Sequence, residues 1–373
     1  MKRLTQLMFL LLFGFVYGQE ANTLKIGVVL PFTSQISEYS KDALAGMNLA
    51  IHDYEDANKI QKNYVQLIIK DNELSQDKTK EVFNDLITNN HINIFIGPLS
   101  SKCALVVSED FKDENILDIT PTATLQDVTD VSNNVFRVCY TDSYQGVILA
   151  DFAYHNLKNK KAIILTNISN DLSKTASSFF TEEFTNQGGT IVKNYYYDGI
   201  SGINDICQNI KNFEADVIFL PDSDELSYKT MLNLRKSGVN IPFLGIDEWE
   251  NIPDDNLDDI GECYYTVQYC TNPANNRVKE FEERYNSFKK STPSLVSVLS
   301  YDAMCILLDA IIDTKTDDVK VLKEYISHIS KNYISGKIVF TNNSPRKSGY
   351  ILKIGKSEGK WNRYFFSTVD IYE

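Results

Sequence analysis

Histidine is scarce in this chain of 373 residues, which has four. His52, His155 and His328 fall singly in helical patterns and His91 in a loop, and nothing in the sequence joins any of them to a nucleophile. The chain has no G-x-S-x-G, no P-loop, no H-E-x-x-H, and no G-x-G-x-x-G after the first strand-like run. The usual carriers of acyl transfer, phosphoryl transfer, zinc proteolysis and dinucleotide chemistry are therefore missing. Carboxylates abound, but in an acidic chain abundance does not mark an acid/base pair. We expect no enzyme, no cofactor and no metal. The six cysteines, Cys103, Cys139, Cys207, Cys263, Cys270 and Cys305, form no C-x-x-C and have no histidine at zinc spacing. Cys263 and Cys270 bracket a strand-like segment whose ends would lie roughly 23 Å apart, too far to bond, so buried free thiols are expected.

Long apolar runs are also lacking. Lys2 and Arg3, an apolar run over residues 7–16 and the small residue Gly18 read as a secretory leader, residues 1–18, cut before Gln19. That run is too short to span a bilayer, and we expect no later segment of spanning length. The remainder should be soluble and exported, to a periplasm in a cell that has one. Residue 19 is not Cys, so the usual lipoprotein anchor is not expected. A formal charge of −13 disfavours nucleic acid and anionic membranes as partners.

What is present is an alternation. LKIGVVL (24–30), YVQLIIK (64–70), INIFIG (92–97) and ILDIT (116–120) read as buried strands. Between the first two, Ala43, Gly46, Met47, Ala50, Ile51 and Tyr54 recur on one face of a helix. Aliphatic strands alternating with helices imply parallel sheets covered on both faces. After VFRVCY (135–140) the rhythm restarts, through KAIILT, DVIFLP, IPFLGID and CYYTVQY. Two helices and short strands at the tail close the chain. The expected fold is α/β, two similar lobes built on parallel sheets and packed together by several short crossings.

Polar residues collect at the carboxyl ends of these strands, where open α/β sheets place ligands. Tyr39 follows the first strand, Ser100 and Ser101 the third, and Thr122 and Thr124 the fourth. Hydroxyls beside a helix N-terminus can hold a carboxylate, or can simply cap helices and loops; the residues alone leave both open. From the second half, Asp247 follows the glycine of FLGIDEWEN. It suits a ligand ammonium, or it begins an acidic surface loop with Glu248 and Glu250.

The segments KIGVVLPFTSQISEYSKDALAGMNLAI, FIGPLSS, ILDITPTATLQDV, VFRVCYTDSYQG, LRKSGVNIPFLGIDEW, SYDAMCILLDAI and the tail GKIVFTNNS, GYILKIGK resemble, in order and spacing, the type I periplasmic binding proteins of the branched-chain amino-acid class. The resemblance implies two doubly wound parallel-sheet lobes joined by three hinge crossings, residues 19–140 and 271–336 forming one and 141–270 and 337–373 the other, in an exported receptor that closes them over an amino acid-like ligand and serves the membrane permease of an ABC importer, as a monomer. It implies that Ser101, Thr122 and Thr124 hold the ligand carboxylate, that Asp247 holds its ammonium, and that Tyr39 lines the side-chain pocket. The Asp142–Gln145–Gly146 segment matches the stretch after the first crossing. Two family tyrosines are replaced, one in the Asn170–Ser173 region and one by Ser223, so Ser173 and Ser223 would line the pocket instead and a larger or more polar ligand would fit. The family disulfide, whose positions fall near Leu74 and Ser100, is not expected. A sensory module on the same fold, without import, is the alternative.

Overall fold

The structure, a computed structural model, describes residues 23–271 and 275–371. The expected leader lies outside the described residues. The first sheet holds β1 (Leu24–Leu30), β2 (Val65–Asp71), β3 (Ile94–Ile96), β4 (Leu117–Thr120) and β5 (Val135–Arg137), in the order β2-β1-β3-β4-β5 and all parallel. In β1 only Lys25 is exposed, as its aliphatic run requires of a strand covered on both faces. Helix Ser37–Asp56 buries Ala43, Gly46, Met47, Ala50 and Tyr54. It lies so close to helix Leu295–Thr314 that a Cβ on Gly46 would come 2.1 Å from the Ser297 carbonyl oxygen.

Helix Leu295–Thr314 corrects one expectation. Its 20 residues are long and apolar enough to cross a membrane. Most of them are instead buried in the first lobe's core, where Leu299, Met304, Ile306 and Leu307 pack with strand residues such as Ile26, Val28 and Ile96.

The second sheet holds β6 (Lys161–Asn167), β7 (Thr190–Tyr197), β8 (Val217–Phe219), β9 (Phe243–Gly245) and β10 (Cys263–Val267), mutually parallel. A small antiparallel sheet follows, β11 (Ser330–Tyr333), β12 (Gly336–Thr341) and β13 (Ser344–Lys347). The tail strands β14 (Gly349–Ser357) and β15 (Lys360–Val369) then join the second sheet antiparallel beside β10, giving the order β15-β14-β10-β9-β8-β6-β7. The tail thus returns to the second lobe. The return expected at residue 336 falls inside the small sheet, whose Ile338 and Phe340 belong to the first lobe's core. Asn343 ties that sheet to β5, accepting from Arg137 N at 3.1 Å and donating to Val135 O at 3.0 Å.

The chain passes between lobes after β5, after β10 and between β13 and β14. The crossings are bonded to one another. Tyr140 N donates to Gln268 Oε1 at 2.9 Å, and Tyr144 Oη donates to Lys347 O at 3.2 Å. Lys347 is fully buried, and its ammonium donates to Ser335 Oγ at 2.7 Å. All six cysteines are unpaired, and all but the half-buried Cys207 are buried.

Candidate functional site

The first wall is built at the ends of β3 and β4. Gly97 turns the chain at φ +102°, where a Cβ would also come 2.4 Å from Val29 O, so glycine is required there. Ser100 then caps helix Ser101–Asp110, its Oγ accepting from Cys103 N at 3.3 Å. Ser101 Oγ accepts from Leu125 N at 3.3 Å. Thr120 and Thr122 donate to Pro98 O (2.6 Å) and Leu99 O (2.8 Å), stitching the two strand-end loops together. Beneath them the fully buried Arg137 donates to Ala123 O and Gln126 O, both at 2.8 Å, and to Thr129 Oγ1 at 2.7 Å. These bonds occupy five carbonyl and hydroxyl acceptors and fix the loop that carries Thr122 and Thr124.

The second wall is the 3-10 turn Asp247–Asn251 after β9. A Cβ on Gly245 would lie 2.1 Å from the Trp249 ring, so the glycine lets that indole fold fully into the second core. Burying Trp249 leaves Asp247, Glu248 and Glu250 on the cavity side. Asp247 N donates to Gln145 Oε1 at 3.0 Å, which couples the turn to the first helix of this lobe. Arg363 on β15 donates to the carbonyls of Glu250 and Ile252 and pairs with Asp254 at 3.2 Å.

Between the walls lies a cavity of about 810 Å³. It is lined by Tyr39, Ser100, Thr122 and Thr124 from the first lobe and by Asp247, Glu248, Glu250 and Arg363 from the second, with Gln268 and Tyr269 from a crossing. Five of the residues singled out in the sequence, Tyr39, Ser100, Thr122, Thr124 and Asp247, therefore meet. Three do not line it. Ser101 is engaged with Leu125. Ser173 is fully buried, its Oγ accepting from Asn167 N at 3.0 Å. Ser223 precedes helix Asp224–Lys236, and its N–H is bound by Asp222 at 2.8 Å. The buried Asp222 also accepts from Asn167 Nδ2 (2.9 Å), Asn170 Nδ2 (3.1 Å) and Tyr197 Oη (2.6 Å). The region of the two replaced tyrosines is thus closed on itself by one carboxylate.

Electrostatically the cavity is acidic. Burial pushes the Asp247 carboxyl up to about 7, the Asp142 carboxylate adds to the rise, and bonds from Gln145 and Gln268 oppose it. Burial also raises Asp142, against a bond from Thr124 and the charge of Arg137. Glu248 is raised by burial and by Asp224, Asp142 and Asp222. Glu248 and Glu250, which in one of the two sequence readings belong to an acidic surface loop, line the cavity, and so do Arg363 and Gln268, which no motif singles out. Arg363 and Gln268 reach the cavity through strand pairing that no local motif records; the fit of Gly245 under Trp249 was the available signal for Glu248 and Glu250. Among the described residues no group of three His, Cys, Asp or Glu is placed to hold a metal ion.

The sequence profile described as periplasmic binding protein matches residues 23–360. A curated relative, the Leu/Ile/Val-binding protein homolog 3 of Brucella melitensis, is 25% identical over 224 residues, and the match covers 59% of each chain. In that match the chain spans about three fifths of the relative's length. Among solved structures, the leucine binding protein of Thermotoga maritima superposes with a TM-score of 0.70 at 25% identity, covering 93% of this chain and 99% of that one. A solute binding protein of an ABC transporter from Rhodopseudomonas palustris BisB5, in complex with 3,4-dihydroxy benzoic acid, gives 0.72 at 22% identity, covering 94% and 98%. With the two bonded lobes and the cavity between them, the match over residues 23–360 shows that this chain belongs to the periplasmic binding protein family.

Proposed function

We propose that the protein captures a small ligand bearing an ammonium group, an amino acid or a related zwitterion, and hands it to the permease of an ABC importer. The observation that carries this reading is the position of Asp247, which faces the Ser100–Thr122–Thr124 wall across one cavity. The ligand carboxylate meets the Ser100 hydroxyl and the free N–H groups at the start of helix Ser101–Asp110. Thr122 and Thr124 donate to it by releasing Leu99 O and Asp142. The ammonium meets Asp247, and Tyr39 covers the side chain. Closure of the lobes about the bonded crossings traps the ligand and changes the joint surface offered to the permease. A bare aromatic carboxylate, like that bound by the Rhodopseudomonas palustris protein, would bring an anion into a cavity already rich in carboxylates. The family consists of binding proteins, which agrees with capture rather than turnover. In this reading residues 1–18 are a cleaved leader, capture takes place in the periplasm, and the protein acts as a monomer.

Native mass spectrometry of freshly purified protein weighs what co-purifies, and titration calorimetry against an amino-acid panel measures it. Asp247→Ala should weaken the cognate ligand by about 2–5 kcal/mol, the cost of removing one partner of a buried charged pair. Unchanged affinity in that variant refutes the ammonium role.

A further inference from the structure

The cavity holds more carboxyl groups than one zwitterion can answer. Three carboxylates line it, those of Asp247, Glu248 and Glu250, against the single guanidinium of Arg363. Arg363 is already occupied, bound to two carbonyls of the same turn and paired with Asp254 at 3.2 Å. The Glu248 carboxyl makes no hydrogen bond or ion pair among the described residues, and its electrostatic neighbours are Asp142, Asp222 and Asp224. On the opposite wall the hydroxyl of Thr122 already gives its proton to Leu99 O, while that of Ser100 accepts from Cys103 N and keeps its own proton to give. A neutral amino acid would neutralise one carboxylate and bring another. Glu248 would then face a closing, water-poor cleft without a counter-charge, which is costly. At about 810 Å³ the cavity also has room for more than a short aliphatic side chain.

We propose that the ligand of this cavity carries two cationic donor groups and a net positive charge, one group held by Asp247 and the second by Glu248 with Glu250. The inference rests on the capture reading above and names its ligand class: an amino acid with a cationic side chain, or a diamine.

The test is calorimetry of the mature protein with lysine, ornithine, norleucine, leucine, putrescine and cadaverine. Norleucine is lysine without the terminal ammonium, so that pair isolates the second charge. Lysine or ornithine should bind at least tenfold tighter than norleucine, and Glu248→Gln should collapse that ratio toward one; Glu250→Gln serves if the first variant does not fold. Diamines that bind where amino acids do not would uphold the charge inference and discard the amino-acid reading. Norleucine or leucine binding as tightly as lysine would overturn the inference and leave the amino-acid reading standing. Binding of none of the six would overturn both.

Discussion

Asp247 should trade stability for binding, and the trade has a sign that pH exposes. The carboxyl rises from an ordinary 3.8 to about 7 in the folded protein, chiefly through burial and then through Asp142. Below pH 3.8 both folded and unfolded chains hold this proton. Between 3.8 and about 7 the unfolded chain has lost it while the folded one keeps it, so stability falls as pH rises, and above 7 the loss is complete. About three powers of ten in proton affinity correspond to about 4 kcal/mol. That figure is a ceiling, because opening the cleft rehydrates the group. Asp247→Asn should therefore make the ligand-free protein more stable at pH 8, by up to about 4 kcal/mol, while weakening the ligand. Denaturant unfolding followed by tryptophan fluorescence at pH 5 and pH 8 reads the effect, with the buried Trp249 two residues away as reporter. The variant should show a shallower loss between the two pH values than the parent. Equal pH dependence, or a variant less stable than the parent at pH 8, refutes the assignment of this carboxyl to a buried, acid-flanked cleft.

Two further outcomes test the scaffold. Asp222→Ala strips the acceptor from Asn167, Asn170, Tyr197 and Ser223 N, and with about 1–3 kcal/mol for each buried donor left unpaired the loss should exceed about 3 kcal/mol in urea unfolding; a loss below about 1 kcal/mol would show that the network relaxes onto water. Gly46→Leu must push two core helices apart at the Ser297 carbonyl and should cost about 1–3 kcal/mol or more, read as a lowered Tm. No change in Tm would mean that the contact is looser than drawn.

The strands and helices of both lobes were legible because their apolar residues recur with the period of the element they form. A short continuous aliphatic run such as LKIGVVL fits a strand buried on both faces, and Ala43, Gly46, Met47 and Ala50 share one packed helix face. Leu295–Thr314 is the helix its pattern predicts, but it reaches a length and apolarity that a membrane helix shares, and only the sheet against it tells the two apart. The last crossing was expected at residue 336, whereas Ile338 and Phe340 stay with the first core.

The site divides in the same way. That hydroxyls end β3 and β4 and that an acid follows β9 is legible in the residues alone, because strand ends in parallel sheets face one side. Which of them face each other follows from how the lobes pack. Ser101 and Ser173 turned to backbone amides, Ser223 was drawn to Asp222, and Glu248, Glu250 and Arg363 came to the cavity. Those three serines found partners within their own lobes, whereas which groups meet in the cavity depends on the distance between the lobes. That distance is set by the crossings after β5, after β10 and between β13 and β14, which lie far apart in the chain, and no local pattern encodes it.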